Sequence, residues 1–195
     1  MLRFIPVIFA PEGGISADHA NEQAFILEPP AQLNLYAIPI QTYTLVPVSN
    51  APFPQANRFD RVLAMLQVVA RESQLSKFEL AQNFDESLDL RDVGYYASVL
   101  QWLGLATVQK TIISVTAFGL QIASASHADR INKMAEIIFS EPIFHHALHY
   151  TATPIPAELF TRWRIGKSTP ARRRSTITAW VKYFKEYAEN QDRGA

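Results

Sequence analysis

Eight of the chain's 18 basic side chains fall between residues 151 and 185: Arg162, Arg164, Lys167, Arg172, Arg173, Arg174, Lys182 and Lys185. Glu158 is the one acidic residue of that stretch, which therefore carries a net charge of +7. Ser168, Thr169, Ser175 and Thr176 are interleaved with the cations. A local field of this sign attracts polyanions, with nucleic acid the first candidate. Arginine adds a planar fork that bonds phosphate oxygens or guanine edges in pairs, and hydroxyls donate to phosphate oxygens. The competing reading is a solvated basic face, or pairing with the acidic N-terminal part, where residues 1–60 hold two basic and five acidic side chains.

A second set is less one-sided. Arg91, Tyr95, Ser98 and Trp102 recur at helical spacing and could reach base edges, and Lys110 further on suits a phosphate. Asp85, Glu86, Asp89 and Asp92 stand at the entrance of that helix and repel phosphate, which equally suits a surface facing protein. His145 and His149 lie four apart with His146 beside them, but the intervening glutamate of a zinc protease and an obvious third ligand are missing, so packing histidines are expected. Glu12-Gly13-Gly14 is unlike a phosphate-cradling loop, and there is no Gly-x-Ser-x-Gly and no persuasive Ser/His/Asp set. With no cysteine, disulfides, thiolate metal sites and cysteine nucleophiles are excluded. The expectation is a chain with no catalytic constellation, no metal site and no cofactor.

The elements that must position these groups follow from proline, caps and hydrophobic period. Eight of the 12 prolines lie within residues 1–54 and none in 55–141. Phe4–Phe9, Leu35–Ile40 and Thr42–Val48 read as strands in a turn-rich extension over 1–55, with Ser49–Pro54 as a linker. The apolar N-terminus lacks a basic opening region and is broken by Pro6 and Pro11, so a strand is expected there rather than a signal peptide. From Arg58 the period changes to that of a helix, through about Glu72. Ser76 with Glu79 three residues on predicts a capping box opening a short helix Lys77–Phe84. A third helix, Arg91–Leu103, buries Val93, Tyr96, Ala97, Leu100 and Leu103 and stops at Gly104. Leu105–Gln109 and Ile112–Val115 form a hairpin through Lys110-Thr111, and Thr116 caps the next helix. Then come helices over Ala128–Ser140, Pro142 to about Tyr150, Ala157–Arg162, and Pro170 to about Asn190 with Ile177, Trp180, Val181, Phe184 and Ala188 buried. Trp102, Trp163 and Trp180 are expected in the core. Within the last helix, Arg172, Ser175, Ala179 and Lys182 fall on the exposed face, and Arg173 over the helix N-terminus.

Three helices followed by a two-stranded hairpin is the element order of a winged helix-turn-helix. The fold expected is mainly α with a small β component: the extension over 1–55, the winged helix-turn-helix over 56–126, and a second helix-turn-helix-like half over 127–195. Two stretches carry a resemblance. One is Leu90-Arg-Asp-Val-Gly-Tyr-Tyr-Ala-Ser-Val-Leu-Gln-Trp-Leu-Gly-Leu105 with Val115-Thr-Ala-Phe-Gly119 and Arg130; the other is Ser168-Thr-Pro-Ala-Arg-Arg-Arg-Ser-Thr-Ile-Thr-Ala-Trp180. Together, over roughly residues 58–187, they resemble the winged-helix DNA-recognition module of bacterial restriction-modification proteins. The family's nuclease is not matched: there is no Pro-Asp dipeptide, and residues 1–55 are too few and too poor in carboxylates for that domain. Val115 also stands where the family usually has leucine.

The resemblance implies sequence-specific binding of double-stranded DNA in a restriction or defence setting, with any nuclease or methyltransferase activity in a partner chain. A dimeric transcriptional regulator and a protein-interaction adaptor are the alternatives, and pairing of the N-terminal strands would favour a homodimer. No apolar run reaches the length of a membrane span, and a cytoplasmic protein is expected.

Overall fold

The computed structural model describes residues 32–40, 53–84, 88–161, 163 and 170–194. They form a mainly helical protein with one small antiparallel sheet. The helices are α1 (Phe59–Glu72), α2 (Lys77–Gln82), α3 (Leu90–Trp102), α4 (Ala117–Ser124), α5 (His127–Ser140), α6 (Pro142–His149), α7 (Ala157–Thr161) and α8 (Pro170–Gly194). The strands are β1 (Gln74–Ser76), β2 (Ala106–Gln109) and β3 (Ile112–Val115).

The helix starts are chemically explicit. Ser76 accepts the Glu79 amide at 3.1 Å while the Glu79 carboxylate accepts the Ser76 amide at 2.7 Å, the expected capping box. These bonds hold the Glu79 carboxyl below its ordinary range. Ser76→Ala is expected to cost about 1 kcal/mol, read as a lower midpoint in urea unfolding. Asp89, Thr116 and Ser126 cap α3, α4 and α5 through the amides of Asp92, Gly119 and Asp129. At the other end of α3, Gly104 takes φ +72°, and the Leu105 amide bonds back to the Leu100 carbonyl at 2.8 Å. The last carbonyls of α4 are closed by Arg130, whose guanidinium donates to Ile122, Ala123 and Ala125.

Two expectations about strands change. The sheet has three strands, not two, in the order β1-β3-β2. β1 pairs antiparallel with β3, Leu75 opposite Ile113, and β2 pairs with β3 from the other side, Val108 opposite Ile113. The hairpin is thereby tied back to the α1–α2 junction. To make the tie, Ser73 adopts φ +63°, ψ −37°, and its carbonyl accepts the Val115 amide at 3.0 Å. That region disfavours a side chain, so Ser73→Gly is expected to stabilise by about 1 kcal/mol in the same unfolding assay. The run Leu35–Ile40 is not a strand: Leu35–Ala37 form one turn of 3-10 helix. The Asn34 carboxamide oxygen accepts the Tyr36 amide, a local bond that competes with a ladder. Phe4–Phe9 and Thr42–Val48 lie outside the described residues.

A single hydrophobic core runs from Leu33 to Phe184 and joins the two segments on either side of residue 126. Its centre is aromatic. Trp180 is fully buried, with its indole N–H donating to the Ala56 carbonyl at 2.8 Å and its ring against Phe59, Trp102 and Phe144. Phe53 and Trp163 close the cluster. Among the described residues no helix is long and apolar enough to cross a membrane.

Candidate nucleic-acid interface

Of the basic group, Arg162, Arg164, Lys167, Ser168 and Thr169 lie outside the described residues, as does the side chain of Arg172. The rest are set by the rotation of α8. Ile177, Trp180, Val181 and Phe184 face the core as expected, which turns Arg174, Ser175 and Lys182 to solvent. Arg173 is half-buried. The Arg174 guanidinium carbon sits 5.6 Å from the centroid of Phe160, which props the cation up by a cation–π contact. Lys182 faces Glu186 one turn on at 3.6 Å, but the two side chains are 72% and 58% exposed, so the pairing contributes little and leaves the ammonium accessible. Lys185 is half-buried, its ammonium 5.8 Å from the centroid of Tyr36.

Thr176 is corrected by the structure. It is fully buried, and its hydroxyl donates to the Asn57 carboxamide at 2.8 Å. The residue lies one turn before Trp180, on the apolar stripe, so its polar neighbours in sequence misplace it. Asn57 and the Ala56 carbonyl, which fix α8 against the start of α1, carry no sequence signal for that role.

Beside the exposed cations lies a groove of about 590 Å³ between α8 and residues 150–155. Ala147, Ile155 and Val181 give it an apolar floor, Arg174, Lys182 and Lys185 line one side, and Glu186 and Glu189 stand toward the C-terminal end of α8.

On α3 the Arg91 Nε donates to the Tyr95 hydroxyl at 2.9 Å, with the guanidinium carbon 5.6 Å from that ring. The bond raises the Arg91 pKa and holds the two side chains as one unit. Ser98 is half-buried and its hydroxyl donates to the Tyr95 carbonyl at 2.8 Å, so it is partly engaged by its own helix. Trp102 does not belong to this surface. Its ring packs among Phe53, Phe144, Trp163 and Trp180, as expected of a core residue, and only the N-terminal part of α3 stays open. Asp89 and Asp92 are exposed beside Arg91, while Asp85 and Glu86 lie outside the described residues. Lys110 is exposed at the hairpin turn with φ +56°.

The histidines of α6 stack. The His145 and His149 rings are 4.1 Å apart and His149 meets the edge of Tyr36 at 5.4 Å. Burial, then the neighbouring His149 and His146, lowers the His145 pKa. An imidazole kept neutral in the fold binds fewer protons than in the unfolded chain, so stability falls as pH drops below about 6.5. The difference in Tm between pH 7.5 and 5.5 is expected to shrink in His145→Gln. Among the described residues no group of three or more His, Cys, Asp or Glu could hold a metal ion.

No curated protein and no solved structure matches the chain. Residues 61–189, from the first turns of α1 deep into α8, match the family described as Domain of unknown function (DUF7226). That match takes in most of the chain and nearly all of its helical core, and the protein belongs to the DUF7226 family.

Proposed function

We propose that this protein binds double-stranded DNA through the N-terminal half of α8. The observation that carries the reading is the charge of residues 151–185, eight basic against one acidic, with Arg174 and Lys182 on the open side of a helix whose other side is locked into the core. Cations presented from a rigid helix suit a phosphate backbone. The order α1-β1-α2-α3-β2-β3, with β1 paired to the far strand of the hairpin, supports a winged helix-turn-helix for the first half. In that arrangement Arg91 and Tyr95 on the open part of α3 face a groove, and Lys110 at the wing tip takes a phosphate. The resemblance to restriction-modification modules extends the proposal to a recognition component acting beside a nuclease or methyltransferase chain.

The test is selection from a random duplex library at two salt concentrations. A discrete motif whose enrichment weakens with salt supports a sequence reader anchored on phosphates. A palindromic motif redirects the reading to a dimeric regulator. Absence of binding at low salt overturns it in favour of an adaptor whose acidic α3 entrance, Asp89 and Asp92, meets a protein.

A further inference from the structure

The groove of about 590 Å³ beside α8 is of a size that takes a small organic group, and its two sides differ in chemistry. On the α8 side Arg174 and Lys182 stand eight residues apart, about 12 Å along the helix axis, with Thr178 and Val181 between them. Ala147 and Ile155 extend the apolar floor to the other side, where the Thr153 amide donates to the Tyr150 carbonyl at 3.0 Å and closes a turn. Tyr150 caps the C-terminal end of α6 and lines the groove, yet it is 57% exposed, with its ring centred 5.0 Å from that of His146. We propose that this groove seats an unpaired base of a nucleic-acid strand whose phosphates lie on Arg174 and Lys182, with the Tyr150 ring as the stacking surface. The inference rests on the duplex reading and narrows its substrate to a duplex that carries unpaired nucleotides.

Charge and surface chemistry choose this occupant. Phosphates need exposed cations and a base needs an apolar or aromatic surface beside them, and the groove sets the two next to each other. A strand crossing from Arg174 to Lys182 carries the base between its phosphates past Thr178 and Val181. A paired base is stacked within the duplex and cannot reach the floor, whereas an unpaired one can lay a face on a tyrosine ring. Thr151, Thr153 and Thr178 are exposed, and their hydroxyls can donate to or accept from its polar edge. Glu186 and Glu189 repel phosphate, which confines the strand to the part of α8 where Arg174 and Lys182 already meet the duplex.

The test titrates the full chain against duplexes of one sequence: blunt, with a short single-stranded overhang, and with the same overhang made abasic. The abasic probe keeps every phosphate and removes only the bases, and both overhang polarities are used. In at least one polarity the intact overhang is expected to bind about tenfold tighter than the abasic one, the gain from stacking one base. Tyr150→Ala is expected to erase that difference and Tyr150→Phe to keep it, with the fold of both variants checked by circular dichroism. Equal affinity for intact and abasic overhangs in both polarities overturns the proposal, and binding of the blunt duplex in the same series leaves the duplex reading standing. A difference that survives in Tyr150→Ala also overturns it. Failure of every duplex to bind at low salt overturns both readings.

Discussion

Gly119→Ala is expected to destabilise the protein by about 3 kcal/mol, lowering Tm by roughly 6–12 °C. A Cβ at this position would run into the Leu105 carbonyl oxygen and stand 2.9 Å from the Leu105 carbonyl carbon and from Val115 Cγ2. The obstacle is backbone, and it is held. The Leu105 carbonyl accepts the Thr116 amide at 3.0 Å, while the Thr116 hydroxyl donates to the Gly104 carbonyl at 2.7 Å and accepts the Gly119 amide at 2.9 Å. One threonine thus fastens the end of α3 to the start of α4, and the close approach it enforces admits only a hydrogen at residue 119. Gly94 within α3 is the control, since a Cβ there meets nothing within 4 Å. Gly94→Ala is expected to raise stability by up to about 1 kcal/mol through helix propensity. Thermal unfolding of both variants checks the pair; two changes of the same sign would refute the packing argument.

The proposed duplex contact makes the second large prediction. Arg174→Glu/Lys182→Glu is expected to weaken duplex binding roughly a hundredfold near 0.1 M salt, taking about 1.5 kcal/mol for each charged hydrogen bond. The slope of log affinity against log salt is expected to flatten by about 0.9 for each phosphate that the variant no longer neutralises. Lys133→Glu on α5, whose lysine is already paired with Glu136 at 2.6 Å, is expected to leave both quantities almost unchanged. Equal losses in the two variants would indicate a non-specific charge effect rather than an interface on α8. Titration over five salt concentrations by fluorescence anisotropy measures affinity and slope together.

How much of this was legible depended on whether the signal was local. Caps are local, and Ser76 with Glu79, Thr116, Pro142 and Gly104 announce helix ends where the structure has them. The stripe Ile177, Trp180, Val181 and Phe184 is equally plain, because a period of 3.6 needs no knowledge of what it packs against. That same period places Thr176 inside, and only the attraction of a basic, hydroxyl-rich neighbourhood argued otherwise. β1 is different in kind. Gln74-Leu75-Ser76 holds one apolar residue, too short for an alternation, and it becomes a strand because Ile113 lies opposite Leu75. The run from Leu35 to Ile40 failed for the reverse reason: its apolar spacing fits a strand or a tight turn alike, and Asn34 decides for the turn. For the site, the charge and its helix were legible, whereas the groove was not, since residues 150–155 meet α8 only through the tertiary fold.

The aromatic cluster has a spectroscopic consequence. The chain has three tryptophans, and all of them belong to that cluster, with Trp102 centred 5.6 Å from Trp163 and 6.0 Å from Trp180. Indoles this close couple their transitions, giving the folded protein a built-in signal in the near ultraviolet. Because the three come from α3, from the residues after α7 and from α8, tryptophan emission and the tryptophan bands of the near-ultraviolet dichroism report on the place where the early and late parts of the chain meet. A ligand that moves α8 against α3 by a fraction of an ångström would register there without any label.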